Sequence, residues 1–311
     1  MALDPQMQGL LDAFGALKLP PYEELTAETF RVLADAKRVT RGQSETVAEV
    51  SDRLIPGNGP DIKVRLYRPH AEGVLPALVY FHGGGFVLGD LDSHDNLCRA
   101  LSNGLGALVV AVDYRRAPEA RFPAAFDDAW DALKWVAEHV GELAIDPSRL
   151  MVGGDSAGAN LAANVCLKAR DNNGPAIAHQ LLFYPVCDND LSRDSYREMG
   201  SGYFLETEMM RWFWEQYLGA PEDADKPYCC PLKATDLSNL PAATLVVGGY
   251  DPLKDEGLAY IERLGLAGNS VHSIVYPGAI HGFMSYIGML KLSDQALNET
   301  VDALQTALAR H

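Results

Sequence analysis

Gly154-Asp155-Ser156-Ala157-Gly158 sets a serine between two glycines in the pattern G-x-S-x-G. The motif alone is weak, because a glycine-rich chain matches it by accident. Its setting makes it specific. It follows the apolar run Leu150-Met151-Val152 and opens a helical pattern from Ala159 to Ala169. A strand that turns sharply into a helix exposes a serine at the turn, and flanking glycines let helix and strand crowd together. The new helix also points free N–H groups and the positive end of its dipole at negative charge developing there. The plain alternative is a tight glycine turn with a structural serine, and only partner residues separate the two.

A serine hydroxyl needs a base within hydrogen-bond reach to become a nucleophile. In the chain order serine, acid, histidine, four histidines follow Ser156: His179, His272, His281 and His311. His179 begins an apolar strand, His272 lies within the run Val271 to Tyr276, and His311 ends the chain. His281 remains, in a loop after Pro277-Gly278 and before Gly282. Three carboxylates compete to orient it: Asp188, Asp251 and Asp255. Asp251 is favoured because it comes straight after Thr244 to Val247 and Gly248-Gly249-Tyr250, and a strand end holds a side chain more rigidly than a helix turn. His82-Gly83-Gly84-Gly85-Phe86 follows another buried run, Ala77 to Phe81. Its bare backbone N–H groups, together with that of Ala157, suit an oxyanion hole. No phosphate-binding lysine or serine follows the glycines, which disfavours a nucleotide cradle. His82 itself reads as a loop anchor.

These groups need a scaffold that brings strand ends together. Ile62-Lys63-Val64-Arg65-Leu66-Tyr67 alternates apolar and charged residues, as a strand with one wet face does. The runs Ala77–Phe81, Ala107–Val112, Leu150–Val152, Leu181–Tyr184 and Thr244–Val247 are apolar on both faces, the signature of a parallel sheet covered on both sides. Helical patterns such as Phe126 to His139 lie between them, so the fold class is α/β with an antiparallel edge. Residues 3–40 carry Leu10, Leu11, Phe14, Leu17, Leu25, Phe30, Val32 and Leu33 at helical spacing, broken by Pro20-Pro21. From Asp188 to Asn239 no buried strand is evident, but large side chains gather, among them Phe204, Met210, Phe213 and Trp214. They form either a lid over the sheet edge or an ordinary helix packed on the core.

His82-Gly83-Gly84-Gly85, Gly154 to Gly158, Asp251-Pro252-Leu253 and His281-Gly282-Phe283 together resemble the bacterial hormone-sensitive-lipase-type esterases, lipolytic family IV. The likeness runs from about Pro76 to Phe283 and includes Gly89-Asp90 and Tyr114-Arg115-Arg116-Ala117-Pro118-Glu119, where Arg116 replaces the family's usual leucine. The resemblance implies a single α/β-hydrolase domain over residues 1–311, capped by residues 1–45 and an insertion at 188–239. It implies Ser156 as nucleophile, His281 as base and Asp251 as its orienter. The hole would be Gly84 and Gly85 with Ala157, Gly83 belonging to the same loop. Short- to medium-chain acyl esters would be the substrates, with Phe204, Met210, Phe213 and Trp214 as the expected wall of the acyl pocket and no cofactor. Two rivals share the motifs: an amidase or lactonase using the same triad, and a non-catalytic small-molecule receptor on the same fold. A receptor has no need of both Asp251 and His281.

Composition narrows the partners. Of 311 residues, 48% are hydrophobic and 22% charged, and 26 basic against 42 acidic side chains leave a net charge of −16. That surface repels phosphate backbones, so a small-molecule ester is a better partner than nucleic acid. No apolar run approaches the ~20 residues of a membrane span, and no signal peptide is evident. Cys98, Cys166, Cys187, Cys229 and Cys230 are odd in number and scattered, which gives neither a disulfide framework nor metal-ligand spacing. A cytoplasmic protein without metal is expected, and the strand near Val271 would leave an edge open to a homodimer.

Overall fold

The apolar runs become the interior of one eight-stranded sheet. The computed structural model describes residues 2–15, 20–36 and 44–309; Leu17, the Phe14 side chain and His311 lie outside the described residues. The strands are β1 (Glu49–Ile55), β2 (Ile62–Arg68), β3 (Leu75–Phe81), β4 (Leu108–Asp113), β5 (Ile145–Asp155), β6 (His179–Phe183), β7 (Ala242–Tyr250) and β8 (Val271–Ile280). Their spatial order is β1-β2-β4-β3-β5-β6-β7-β8. β2 runs antiparallel to β1 and β4, and every other pair is parallel. All seven residues of β3 are buried, as a strand at the heart of a doubly covered sheet must be.

Two helices, α1 (Pro5–Gly15) and α2 (Ala27–Ala36), precede the sheet on either side of Pro20-Pro21. The remaining helices are α3 (Asp95–Leu105), α4 (Ala124–Glu138), α5 (Val140–Leu143), α6 (Ala157–Asp171), α7 (Asp194–Met199), α8 (Thr207–Tyr217), α9 (Lys254–Leu266) and, after the last strand, α10 (Lys291–Leu308). From β3 the chain steps through α3 toward β1, then through α4 back past β3 toward β8. Right-handed crossovers in opposite directions put α3 and α4 on opposite faces. α6 packs with α4, and α10 packs with α3. The reversal opens a crevice between the carboxyl ends of β3 and β5, where ligands bind in sheets of this kind.

Three details depart from the sequence expectation. β1 has no sequence signature, because only Ile55 of its seven residues is buried; Asp52 holds it to β2 through Arg65 at 2.6 Å and Lys63 at 2.8 Å. β5 continues through Gly153 and Gly154 to Asp155. β8 runs on through Pro277-Gly278 to Ile280, so His281 is the first residue of the turn that follows the strand. The glycine pair in β7 permits this, since a Cβ on Gly249 would lie 2.3 Å from the Pro277 carbonyl oxygen. β8 is the outermost strand and exposes Val271 and Val275. Residues 188–239 hold α7, α8 and short 3-10 turns without a strand, and no helix among the described residues is long and apolar enough to cross a membrane.

A close backbone approach lies where α6 meets the sheet. A Cβ on Gly158 would come within 1.9 Å of the Phe81 carbonyl oxygen, and one on Gly154 within 2.4 Å of Gly158. Gly158→Ala therefore forces α6 off β3 and is expected to remove about 3 kcal/mol of unfolding free energy. The measurement is a guanidinium titration, read as a lowered midpoint at unchanged slope. A variant as stable as the parent would mean that α6 retreats without cost.

Candidate active site

Ser156 occupies the reversal between β5 and α6 at φ 55° and ψ −117°. A non-glycine residue there carries about 1–3 kcal/mol of strain and persists only where its surroundings hold it. They do so at both ends. Its N–H donates to Phe183 O at 2.8 Å, and its carbonyl accepts the N–H of Asn160 at 3.1 Å and of Val186 at 3.2 Å. The hydroxyl is thereby presented to a cavity of about 760 Å³.

His281 reaches Ser156 from the end of β8, with Nε2 3.0 Å from Ser156 Oγ and Nδ1 2.8 Å from Asp251 Oδ2. A carboxylate only accepts, so Nδ1 carries the proton and Nε2 is left to accept from the serine hydroxyl. Asp251 is fully buried, and its other oxygen accepts the Leu253 N–H at 2.8 Å. The Tyr184 ring meets His281 edge-on, 4.7 Å between centroids. The other two acids are engaged elsewhere: Asp188 pairs with Arg193 at 2.7 Å, and Asp255 accepts the Ser195 N–H at 2.8 Å. His179 contacts Thr244 Oγ1 at 2.9 Å, and His272 is exposed on β8.

The glycine loop after β3 faces the same space. Gly84 and Gly85 border the cavity at φ 122° and 60°, a backbone an L side chain would not readily adopt. Among the described residues neither N–H donates to a protein acceptor. Ala157 is the first residue of α6, where helical N–H groups lack intrahelical partners. Gly83 differs. Its N–H already donates to Asp155 Oδ1 at 3.0 Å, which removes it from the oxyanion donors expected from the sequence. His82 stacks on Tyr114 at 4.3 Å, with Nδ1 2.8 Å from Gly83 O. Burial first, then the neighbouring His94, push His82 down to about 3, so it stays neutral.

Asp155 is the buried anchor beneath this loop. Besides Gly83 it accepts the Tyr80 hydroxyl at 2.8 Å and lies 3.1 Å from His94 Nε2. Burial pushes its carboxyl up, but the charge and hydrogen bond of His94 and the bond from Tyr80 outweigh that and leave it below its ordinary value. Neither Tyr80 nor His94 was singled out in the sequence. The available signal was Asp155 itself, because a carboxylate at the end of a buried strand must find partners.

Both regions with unassigned large side chains border the cavity: Leu11 and Phe30 from the N-terminal helices, and Phe204, Met209, Met210 and Phe213 from 188–239. The Tyr22 hydroxyl donates to Glu206 at 3.3 Å, joining the two segments at the rim. Trp214 does not line the cavity. One residue past Phe213 on α8, it turns away and packs on Phe86 and Tyr217, with centroids at 5.9 and 6.0 Å.

The chain matches the α/β-hydrolase fold family over residues 78–285. It is 38% identical to the ethyl acetate hydrolase of Pseudomonas putida, across 99% of this chain and 100% of that protein. It is 37% identical to the carboxylesterase NlhH of Mycobacterium tuberculosis, across 98% and 96%. Among solved structures, an ester hydrolase from the metagenome of Lake Arreo superposes with a TM-score of 0.94 at 38% identity, covering 99% of both chains. A hyperthermophilic esterase from Pyrobaculum calidifontis gives 0.91 at 39%, covering 98% of this chain and 99% of that one. The chain belongs to the α/β-hydrolase fold family. Within it the chain is a hormone-sensitive-lipase-type esterase, a carboxylic ester hydrolase.

Removing the Asp155 charge tests the anchor. Asp155→Asn keeps the shape but puts an amide where a carboxylate accepts from the Gly83 N–H and the Tyr80 hydroxyl, and hydrogen bonds to a charged group are worth about 1.5–3 kcal/mol each. Because the native carboxyl titrates below its ordinary value of 3.8, its contribution is complete above that value and is lost as pH falls through the lower native one. The stability gap between parent and variant is expected to be full at about pH 5 and to narrow below about pH 4. Unfolding titrations across that range measure it; a gap that widens toward acid would contradict the assignment.

Proposed function

We propose that the protein hydrolyses short- to medium-chain acyl esters through an acyl-enzyme on Ser156. One observation carries the reading: the hydrogen-bonded line Asp251–His281–Ser156 ends in a largely apolar cavity that Gly84 and Gly85 also border, with Ala157 next to the serine as the first residue of α6. His281 takes the Ser156 proton as Oγ bonds to the ester carbonyl carbon. Asp251 holds the imidazole tautomer and stabilises the imidazolium. The N–H groups of Gly84, Gly85 and Ala157 receive the oxyanion, each being worth roughly 3 kcal/mol in the transition state. As the tetrahedral adduct collapses, the C–O bond to the alcohol breaks and His281 protonates the departing oxygen. Water then attacks the acyl-enzyme under the same base, releasing the acid and restoring Ser156.

Helices α1 and α2 and residues 188–239 serve in this reading as the cap of a single domain spanning 1–311, with Phe204, Met210 and Phe213 as the acyl wall. The packing of Trp214 against Phe86 and Tyr217 argues for leaving it out of that wall. The likeness to an ethyl acetate hydrolase and a carboxylesterase favours esters over amides and lactones.

Ser156→Ala is expected to lower kcat on p-nitrophenyl butyrate by about 10⁴- to 10⁶-fold, with an unaltered circular dichroism spectrum. Turnover at the parental rate would end the proposal. Met210→Ala enlarges the cavity, so the optimum in a series of p-nitrophenyl esters from acetate to decanoate should move toward longer chains. An optimum that stays put would remove Met210 from the acyl wall.

A further inference from the structure

Arg31 lies on α2, outside every motif, yet it makes four hydrogen bonds to the segments that follow β3 and β4. Its Nε donates to Val87 O at 2.9 Å, and Nη2 donates to Ala117 O at 2.8 Å. Its two Nη groups also grip both oxygens of Glu119, at 2.7 and 2.8 Å. That fork is the planar bidentate geometry only an arginine provides, and it holds the Glu119 carboxyl down at about 2.

The bond to Val87 leads to the proposed oxyanion hole. The Val87 carbonyl shares a peptide with the Leu88 N–H, which donates to Gly84 O at 2.7 Å. The Gly84 carbonyl in turn shares a peptide with the Gly85 N–H, one of the proposed donors. Two peptide groups thus stand in series between the guanidinium and the hole, the cation at the far end and an N–H at the near end. Hydrogen-bonded peptides polarise one another in the same direction, so the arrangement both orients the Gly85 N–H and strengthens it as a donor. The neighbouring carbonyls are held from the same side: Phe86 O accepts the Ala117 N–H at 2.9 Å, and Gly89 O accepts Arg116 Nη1 at 2.6 Å. Residue 30 completes the link. Phe30 stacks on Phe213 at 5.7 Å, and a Cβ on Gly85 would lie 2.3 Å from the Phe213 ring.

We propose that Arg31 is a positioning residue for the oxyanion hole, setting the N-terminal helix and the Gly84–Gly85 loop as one unit through the Val87 and Gly84 peptides. This rests on the Ser156 and glycine-loop reading given above. Arg31→Gln is expected to lower kcat on p-nitrophenyl acetate by about tenfold, short of the 10²–10³ lost with a whole donor, while KM stays within about twofold. An acetyl group is too short to need the acyl wall, so the kcat loss separates hole geometry from pocket shape. The rate at which diethyl p-nitrophenyl phosphate modifies the active serine should fall in parallel, since that reaction also develops an oxyanion. Arg31→Lys keeps the charge but not the fork, and should recover part of kcat.

If Arg31 merely docks α2, kcat on acetate and the phosphorylation rate will be parental and KM for octanoate will rise; that pattern overturns the proposal. Should Arg31→Gln fail to fold, Glu119→Gln keeps the arginine and loosens its fork. It is expected to lower kcat a few-fold, and parental kcat there overturns the proposal equally. An active Ser156→Ala variant would sink the underlying reading, whereas an inactive one beside a full-rate Arg31→Gln sinks only the role of Arg31.

Discussion

The crowding of α6 against the ends of β3 and β5 is the constraint on which the rest of the site depends. A helix this close to two strands leaves no room for a Cβ at Gly154 or Gly158. The chain must therefore reverse within one residue, and that residue takes a backbone conformation that side chains rarely adopt. Ser156 is held there by the Phe183 carbonyl and the Val186 N–H, both from the end of β6 and its following loop. Three neighbouring strand ends, β3, β5 and β6, are thus fastened around one hydroxyl. The histidine and the second carboxylate come from the next two strands, β8 and β7. Convergence follows from the parallel order of the sheet, because every parallel strand delivers its carboxyl end to the same rim.

Burial of charge beneath the glycine loop works with that crowding. Asp155 and Ser156 are consecutive, the first bonded to the Gly83 N–H, Tyr80 and His94 and the second to His281. A lone carboxylate there would be driven neutral; His94, Tyr80 and the Gly83 N–H keep it ionised instead. The Gly83 bond has a second effect. It engages the first amide of the loop, whereas Gly84 and Gly85, both at positive φ, have N–H groups with no protein acceptor among the described residues. One anchored amide and two free ones are the result, and a glycine at all three positions is what the path requires. Cβ atoms there would strike Asp155, Leu88 and Phe213 within 2.2 to 2.3 Å.

Legibility in the sequence tracked how local each interaction was. The buried strands announced themselves as short apolar runs, and the serine, histidine and favoured carboxylate stood out because each follows such a run. β1 did not, because it pairs with β2 through its backbone and buries only Ile55, so no apolar pattern marks it. Gly83 was grouped with its neighbours because a run of identical glycines hides which amide is engaged; a hydrogen bond to a residue 72 positions away decides it. Trp214 was grouped with Phe213 for a similar reason, since a cluster of aromatics at adjacent positions does not reveal which side of α8 meets the cavity. His94 and Arg31 lay beyond sequence reading altogether. Their partners are 61 and 56 to 88 positions distant.

Opposite the strand ends, the cavity is bordered by two segments that are far apart in the chain and meet only in space. Tyr22 and Glu206 join them at the rim, 184 positions apart, and Phe30 meets Phe213 face to face deeper in. Neither segment forms part of the sheet. Both can therefore vary in size and shape without disturbing the strand ends that carry Ser156, Asp251 and His281, which is how a shared scaffold comes to serve different substrates. The separation is incomplete. Phe213 rests on Gly85, and Arg31 grips the peptide that follows Val87. A change of wall at either point reaches the glycine loop directly, so pocket shape and the geometry around Ser156 are physically joined at these two contacts.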